Sequence, residues 1–324
     1  MKQYRENPVA AEALVAIIII NYNGLADTVE CLQSLRLSTY RVYRVILVDN
    51  ASRENPCPIL ERDFPEVCTV RSEVNLGFTG GNNLGLTAAY TFEPDYILFL
   101  NNDTLVAPDM LRELVRFMGS HPDTGMVGPL TYYYDEPDMV CFGGGMLNCN
   151  TGRISFLDRG VRLDAAVAGV RYCNFIEGAA MLIRTPLVKE IGGFNDVYFL
   201  TSEESELCTE VEARGYRLAV LNAAVMWHKV SRSMGAGSEL INYFVYRNRL
   251  RFIRRNARNF RLRDFLAIAL TYCRTFVSLL LRQRNLRAGR GLIMGVIDFL
   301  RGITGPGRYR QRLQPIRQDG VGLS

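Results

Sequence analysis

Hydrophobic positions along the first 130 residues come in short unbroken runs separated by polar and helix-like stretches. The runs at 14–20, 43–49, 67–71, 95–100 and 125–128 are read as strands, and helical stretches are read near 25–37, 79–91 and 108–119. Unbroken apolar strands are those buried on both faces, so alternation of strand and helix with short loops predicts βαβ units and a parallel sheet. From Met139 to Val170 glycines and short polar pieces replace that rhythm, which predicts a mixed-sheet excursion or a mobile loop. Regular structure is expected again as an extended segment over Asn174–Arg184 and a helix over Ser202–Arg214, with Ser202 at its N-cap. A further helix is expected over Glu239–Arg255, then apolar helical stretches at Phe265–Leu281 and Leu292–Ile303.

The residues at the strand ends bring in candidate chemistry. Tyr96–Leu100 runs into Asn101-Asn102-Asp103-Thr104, a carboxylate flanked by amides at the carboxyl end of a strand, where open α/β sheets bind ligands. It reads as a metal–diphosphate site; the alternative is a turn before a helix capped by Asp109. The first strand runs into Asn21-Tyr22-Asn23-Gly24 and the second into Asp49-Asn50-Ala51-Ser52. Asp49 can accept from a ring N–H or a ribose hydroxyl and Tyr22 can cover a base face, which suits uridine or thymidine. After the third strand comes Asn75-Leu76-Gly77-Phe78-Thr79-Gly80-Gly81-Asn82-Asn83, whose glycines admit close backbone approach beside a helix N-terminus. This loop fits neither G-x-G-x-x-G nor a Walker A motif.

Composition narrows the class. The 324 residues are 48% apolar and 22% charged, as expected of a globular protein rather than a disordered one. Eight cysteines include no CxxC pair and no zinc-type spacing, so reduced thiols in a reducing compartment are expected. The apolar run Leu14–Ile20 is short and follows Glu6, Pro8 and Glu12, which favours a core strand over a signal peptide. The net charge of +5 conceals a division, because residues 241–324 carry 18 arginines, no lysine and three aspartates, or +15 against −10 for the rest. A basic segment on an acidic body implies a polyanionic partner, a membrane surface or a nucleic acid. The apolar spacing of the tail is unlike an aromatic stacking platform, so no nucleic acid is expected. Phe265–Leu281 spans 17 residues and contains Arg274, short of the about 20 residues of a bilayer span. A segment lying in the headgroup layer of the cytoplasmic membrane face is therefore expected, the alternative being a helical hairpin packed on the body or forming a homodimer.

Four strand-end motifs in this order resemble the N-terminal half of the family 2 glycosyltransferases. The resemblance continues through Gly178-Ala179-Ala180-Met181-Leu182-Ile183-Arg184, Ile191-Gly192-Gly193-Phe194-Asn195, Phe199–Cys208 and Trp227-His228, covering about residues 14–260. It is nearest the bacterial rhamnosyltransferase-like branch, which the helix bearing Tyr246-Arg247-Asn248 also resembles. The resemblance implies a GT-A fold, an α/β, Rossmann-like, mostly parallel central sheet flanked by helices, with a C-terminal helical extension. It divides the chain into an N-terminal extension (1–13), a catalytic domain (14–236), an amphipathic helical region (237–305) and a basic flexible tail (306–324). Within the catalytic domain, 14–130 is the nucleotide-sugar half and 131–236 the acceptor half.

The activity implied is transfer, with inversion, of a sugar from dTDP-rhamnose or a UDP-hexose to a lipid-linked or polysaccharide acceptor in cell-surface glycan synthesis. Donor contacts are implied for Tyr22, Asn23, Asp49, Asn75, Gly77, Gly81, Asn82, Asn102 and Asp103. Asp103 and His228 are implied to hold Mg²⁺ or Mn²⁺, with Asn101 standing where the family's usual D-x-D has its first aspartate. The family's E-D pair is Glu203-Glu204 here and its later aspartate is Glu206, which leaves the base open among the three, with Glu204 preferred. Read from residues alone, His228 is a structural hydrogen-bonder sooner than a ligand, Trp227 is core, and Lys229, Arg232 and Ser233 are phosphate contacts or a solvated loop. Two other classes share a nucleotide-binding sheet: a sugar-phosphate nucleotidyltransferase, whose cationic phosphate loop is missing at Asn21–Gly24, and a non-catalytic membrane-bound scaffold.

Overall fold

The computed structural model describes residues 12–162, 169–230 and 238–313. Arg232, Ser233, most of the N-terminal extension and much of the basic tail lie outside the described residues. The first half contains β1 (Val15–Asn21), α1 (Leu25–Arg36), β2 (Tyr43–Asn50), α2 (Cys57–Asp63), β3 (Val67–Ser72), α3 (Gly77–Ala89), β4 (Tyr96–Asn101), β5 (Thr104–Val106) and α4 (Met110–Ser120). The second half contains β6 (Thr124–Tyr133), β7 (Val140–Phe142), β8 (Gly145–Asn148), β9 (Arg153–Phe156), β10 (Val170–Cys173), β11 (Ala180–Arg184), α5 (Thr185–Ile191), α6 (Glu203–Ala213) and β12 (Arg217–His228). Three C-terminal helices follow, α7 (Glu239–Asn256), α8 (Leu262–Val277) and α9 (Leu286–Leu300).

One large sheet runs in the order β10-β12-β6-β11-β4-β1-β2-β3. Its β4-β1-β2-β3 half is parallel, as the apolar runs predict, and both faces are covered. Ile17 and Ile19 pack toward Leu32 and Leu35 of α1, whereas Ile18 packs on the other face toward Leu86 of α3, so side-chain alternation buries the whole run. Beyond β4 the sheet is mixed. Strand β11 is antiparallel to both β4 and β6, β12 is parallel to β6, and β10 closes that edge antiparallel to β12.

Several elements differ from the sequence reading. Helix α2 and strand β5 were not anticipated, because each is too short to show a period. The extended segment over Asn174–Arg184 is a strand only from Ala180, and the glycine-rich 139–170 stretch contains β7 and a separate β8–β9 hairpin. Ser202 is the N-cap residue of α6, but it has φ +70° and its side chain makes no capping hydrogen bond. All eight cysteines are free thiols.

Helices α7 and α9 pack backbone to backbone. A Cβ on Gly291 would come within 2.2 Å of Glu239 O, and one on Gly295 within 2.5 Å of Tyr243 O. By contrast α8 touches the body through a single stripe, Asp264, Ile268 and Tyr272, one residue per turn, with the Tyr272 hydroxyl donating to Tyr246 O at 3.0 Å. Helical backbone continues from α8 through a wide turn to Arg282, giving 21 residues, longer than the stretch read from sequence. By length and composition alone this helix is long and apolar enough to cross a membrane.

Candidate functional site

Parallel register brings the strand ends level. Asn21 lies beside Asp49, and Ile20 beside Asn101. Asn21 joins the loops, donating to Asp49 Oδ1 and Ser52 Oγ, each at 3.0 Å, and accepting from Thr28 Oγ1 at 3.0 Å. Asp49 is fully buried, and its other oxygen meets Ser52 N at 3.3 Å and Arg71 Nη1 at 3.1 Å. Tyr22 is partly exposed beside it, and Asn23, at φ +56°, accepts from Arg53 N at 2.9 Å.

The loop before α3 is held by amides. Asn50 Nδ2 donates to Asn75 Oδ1 at 3.2 Å and to Gly77 O at 3.0 Å, and its Oδ1 accepts from Leu76 N at 2.8 Å. Gly77 has φ +71° and lies against Phe199 O, where a Cβ would come within 2.3 Å, so both conformation and space require glycine. Phe199 O in turn accepts from Phe78 N at 2.8 Å and from Thr79 N at 3.4 Å, tying this loop to the entry of α6. Gly81 faces Ile20, and the Asn82 amide donates to Phe78 O within the helix at 3.0 Å, so both serve packing. Asn102 likewise bridges back to α1, donating to Thr28 Oγ1 at 3.0 Å.

Asp103 and His228 meet, with Asp103 Oδ1 and His228 Nε2 3.2 Å apart. They come together because β12 pairs with β5, which places His228 opposite Thr104. Burial opposes ionisation of Asp103, but the hydrogen bond and charge of His228 outweigh it and hold the carboxyl below its usual range. Burial likewise works against the imidazolium, yet Asp103 and the nearby Glu177 raise the His228 pKa to about 10. Lys229 is no solvated residue: it is buried, and its Nζ donates to Asp27 Oδ1 at 2.6 Å and Glu30 Oε2 at 2.8 Å.

Two residues join the site without any motif to announce them. One ligand-capable atom from each of Cys141, Glu177 and His228 lies within 4.8 Å of the other two. Buried Glu177 Oε1 and His228 Nδ1 have no hydrogen-bond partner among the described residues. Burial pushes the Glu177 carboxyl up; its charge is felt by His228 on one side and by Glu204 on the other. With His228 within 4.8 Å on one side and Gly178 packed against Glu204 on the other, Glu177 stands between the Asp103–His228 pair and the start of α6.

The three glutamates in the first turn of α6 have separate surroundings. Burial pushes Glu204, partly exposed beside Gly178, up to about 7. Glu203 is more deeply buried, its carboxyl raised by burial and by Glu204, and it lines a separate cavity with Asn195, Glu206 and Arg255. Glu206 is fully engaged, accepting from Asn195 Nδ2 at 2.7 Å, from the Tyr198 hydroxyl and from Arg255 Nε at 3.1 Å. The approach to α6 is strained, with Phe199, Thr201 and Ser202 at φ +70°, +66° and +70°. Asn248 on α7 stabilises it by donating to Tyr198 O, Leu200 O and Thr201 O at 2.9, 2.6 and 3.2 Å, and buried Arg247 adds a bond to Tyr198 O at 3.0 Å.

Buried carboxylates and an imidazole gathered at the carboxyl ends of the strands mark the place where open α/β sheets bind ligands. The chain belongs to the family 2 glycosyltransferases. The family model described as "Glycosyl transferase family 2" matches residues 16–139, and that described as "Glycosyl transferase family group 2" matches residues 96–297. The N-acetylglucosaminyl-diphospho-decaprenol L-rhamnosyltransferase of Mycobacterium tuberculosis is 23% identical over 241 residues, covering 68% of this chain and 78% of that protein. Two solved structures share the GT-A fold. The Pyrobaculum calidifontis mannosyltransferase PcManGT, in complex with GDP-Man and Mn²⁺, aligns with TM-score 0.58 and 16% identity over 90% of this chain and 88% of its own. GalNAc-T7 with UDP, GalNAc and Mn²⁺ aligns with TM-score 0.62 and 15% identity over 76% of this chain and 48% of its own.

Proposed function

We propose that this glycosyltransferase moves a sugar, with inversion, from dTDP-rhamnose or a UDP-hexose to a lipid-linked or polysaccharide acceptor of a bacterial surface glycan. The observation that carries this reading is the placement of Glu177, which has a carboxylate oxygen within 4.8 Å of a His228 ring nitrogen on one side while its neighbour Gly178 lies against Glu204 on the other. Its position joins a phosphate side and a base side into one site. The lipid-linked acceptor is supported by the M. tuberculosis relative, whose name specifies a diphospho-decaprenol substrate.

In the displacement, an acceptor hydroxyl oxygen forms the new bond to the anomeric carbon as the bond to the donor diphosphate oxygen breaks. Glu204 takes the hydroxyl proton, and the bonding pair leaves with the nucleoside diphosphate. The donor set of Asp103 and His228, with two unpartnered buried atoms beside it, fits a divalent cation such as Mn²⁺ or Mg²⁺. Such an ion would offset the charge that develops on the leaving diphosphate. Asp49 and Tyr22 hold the base, and the Asn75–Gly77 loop faces the nucleoside. Glu177, between leaving group and base, accepts from a hydroxyl of the transferred sugar.

The α8 surface supports attachment to the cytoplasmic membrane face. Phe265, Leu266, Leu270, Val277 and Leu281 are exposed on one continuous helix bordered by arginines. A panel of nucleotide sugars with Mg²⁺ or Mn²⁺, scored by release of nucleoside diphosphate in the presence of acceptor, tests the assignment. One donor turned over only with metal is the expected result; nucleotide-sugar synthesis from a sugar phosphate and nucleoside triphosphate would overturn it.

A further inference from the structure

A cavity of about 580 Å³ opens between the β8–β9 hairpin, α7 and α8, and its lining includes Met146, Thr151, Arg153, Arg249, Ala267 and Thr271. Its two arginines have no carboxylate partner among the described residues. Arg249 Nε donates to Thr151 O at 2.8 Å, which fixes the guanidinium plane, and its terminal nitrogens have no partner among the described residues. Arg263 and Arg274 flank Ala267 and Thr271 at helical spacing on α8 and add positive charge along that face of the helix. Of these, only Arg263 approaches a carboxylate, Asp264 at 4.0 Å. A partly buried guanidinium fork without an anion is an unfilled recognition group, and its geometry matches phosphate oxygens two at a time.

The cavity lies beside α6, the helix that carries Glu204. Cys149, in the hairpin turn, has its Sγ 3.9 Å from Thr209 Oγ1 on α6. Thr209 follows Glu204 by about 7.5 Å along the helix axis and about 140° around it, so the hairpin packs on a different face of α6 from Glu204. On its other side the cavity opens onto α8, where Leu266 and Leu270, exposed at 56% and 49%, begin the apolar face. Cations and apolar surface thus adjoin, in the order diphosphate and hydrocarbon.

We propose that this cavity binds the diphosphate of a prenyl-diphosphate-linked acceptor, with Arg153 and Arg249 as the phosphate-binding pair and the prenyl chain running along α8. The proposal rests on the lipid-linked-acceptor reading given above. Calorimetry in detergent tests it, titrating farnesyl diphosphate, farnesol and inorganic pyrophosphate into the full chain and into an Arg153→Gln/Arg249→Gln variant. Farnesyl diphosphate is expected to bind at least tenfold more tightly than either fragment, and the double variant to lose at least tenfold in that affinity. An unchanged melting temperature checks the fold, and Arg153→Gln alone, at an exposed position, is expected to lose severalfold. Partition onto phosphatidylglycerol vesicles is expected to change less than twofold, since the apolar face sets it.

Equal farnesyl diphosphate binding by wild type and variants overturns the placement of the subsite. A parallel loss of vesicle partition overturns the choice of an acceptor over an anionic headgroup. No binding of farnesyl diphosphate by a wild-type protein that turns over nucleotide sugars overturns the lipid-linked reading itself.

Discussion

Glu203, Glu204 and Glu206 share one helical turn, and the helix directs each into different chemistry. Glu204, pushed up to about 7 by burial, is poised to accept a proton near neutral pH. Its raised pKa means the active, ionised form is gained as pH rises, so kcat should fall on the acid side with an inflection near 7 rather than near 4.5. Glu204→Gln should retain donor affinity and lose about 10²–10⁴ in kcat, measured by steady-state kinetics alongside nucleotide binding. Glu206→Ala should instead cost about 1–3 kcal/mol of stability in denaturant unfolding, because it leaves Tyr198, Asn195 and Arg255 without their acceptor. The meeting of Asp103 with His228 was legible in the sequence because each lies at the end of a strand within a recognisable motif. Glu177 and Cys141 were not, since only the antiparallel return of β11 and the pairing of β7 with β6 bring them to His228.

At the scale of elements, the strained approach to α6 depends on a helix that follows it in sequence. One Asn248 amide supports three carbonyls of the Tyr198–Thr201 segment, a burden no turn residue inside that segment could carry. Asn248→Ala should lower kcat at least tenfold and raise the donor KM as well, since the segment it loosens carries both the approach to the proposed base and the Phe199 carbonyl that ties down the Gly77 loop; initial rates at varied donor check this. The βαβ half was readable because its strands are continuous apolar runs of the length a sheet buries. The second half was not, because its short strands alternate direction and its glycines mark a hairpin whose partner strand cannot be named from spacing. The Tyr246-Arg247-Asn248 motif was visible, but its service to a distant loop was not.

Across the whole molecule, charge and apolar exposure fall together at the C-terminus. Residues 241–324 carry +15, and α8 leaves most of its circumference uncovered because only one residue per turn meets the body. Leu266→Glu/Leu270→Glu should cut partition onto anionic vesicles at least tenfold in flotation assays without lowering the melting temperature, as neither side chain is buried. Truncation is a poorer probe, since removing α9 would strip α7 of its glycine-lined partner and so loosen Asn248.

The Phe199 carbonyl, shared by Phe78 N and Thr79 N, has a kinetic consequence. Any settling of the nucleotide loop is handed through this oxygen to the backbone that carries the base, so the two substrates should enter in compulsory sequence, donor leading. Double-reciprocal plots should then intersect, and nucleoside diphosphate alone should slow amide exchange across residues 199–202.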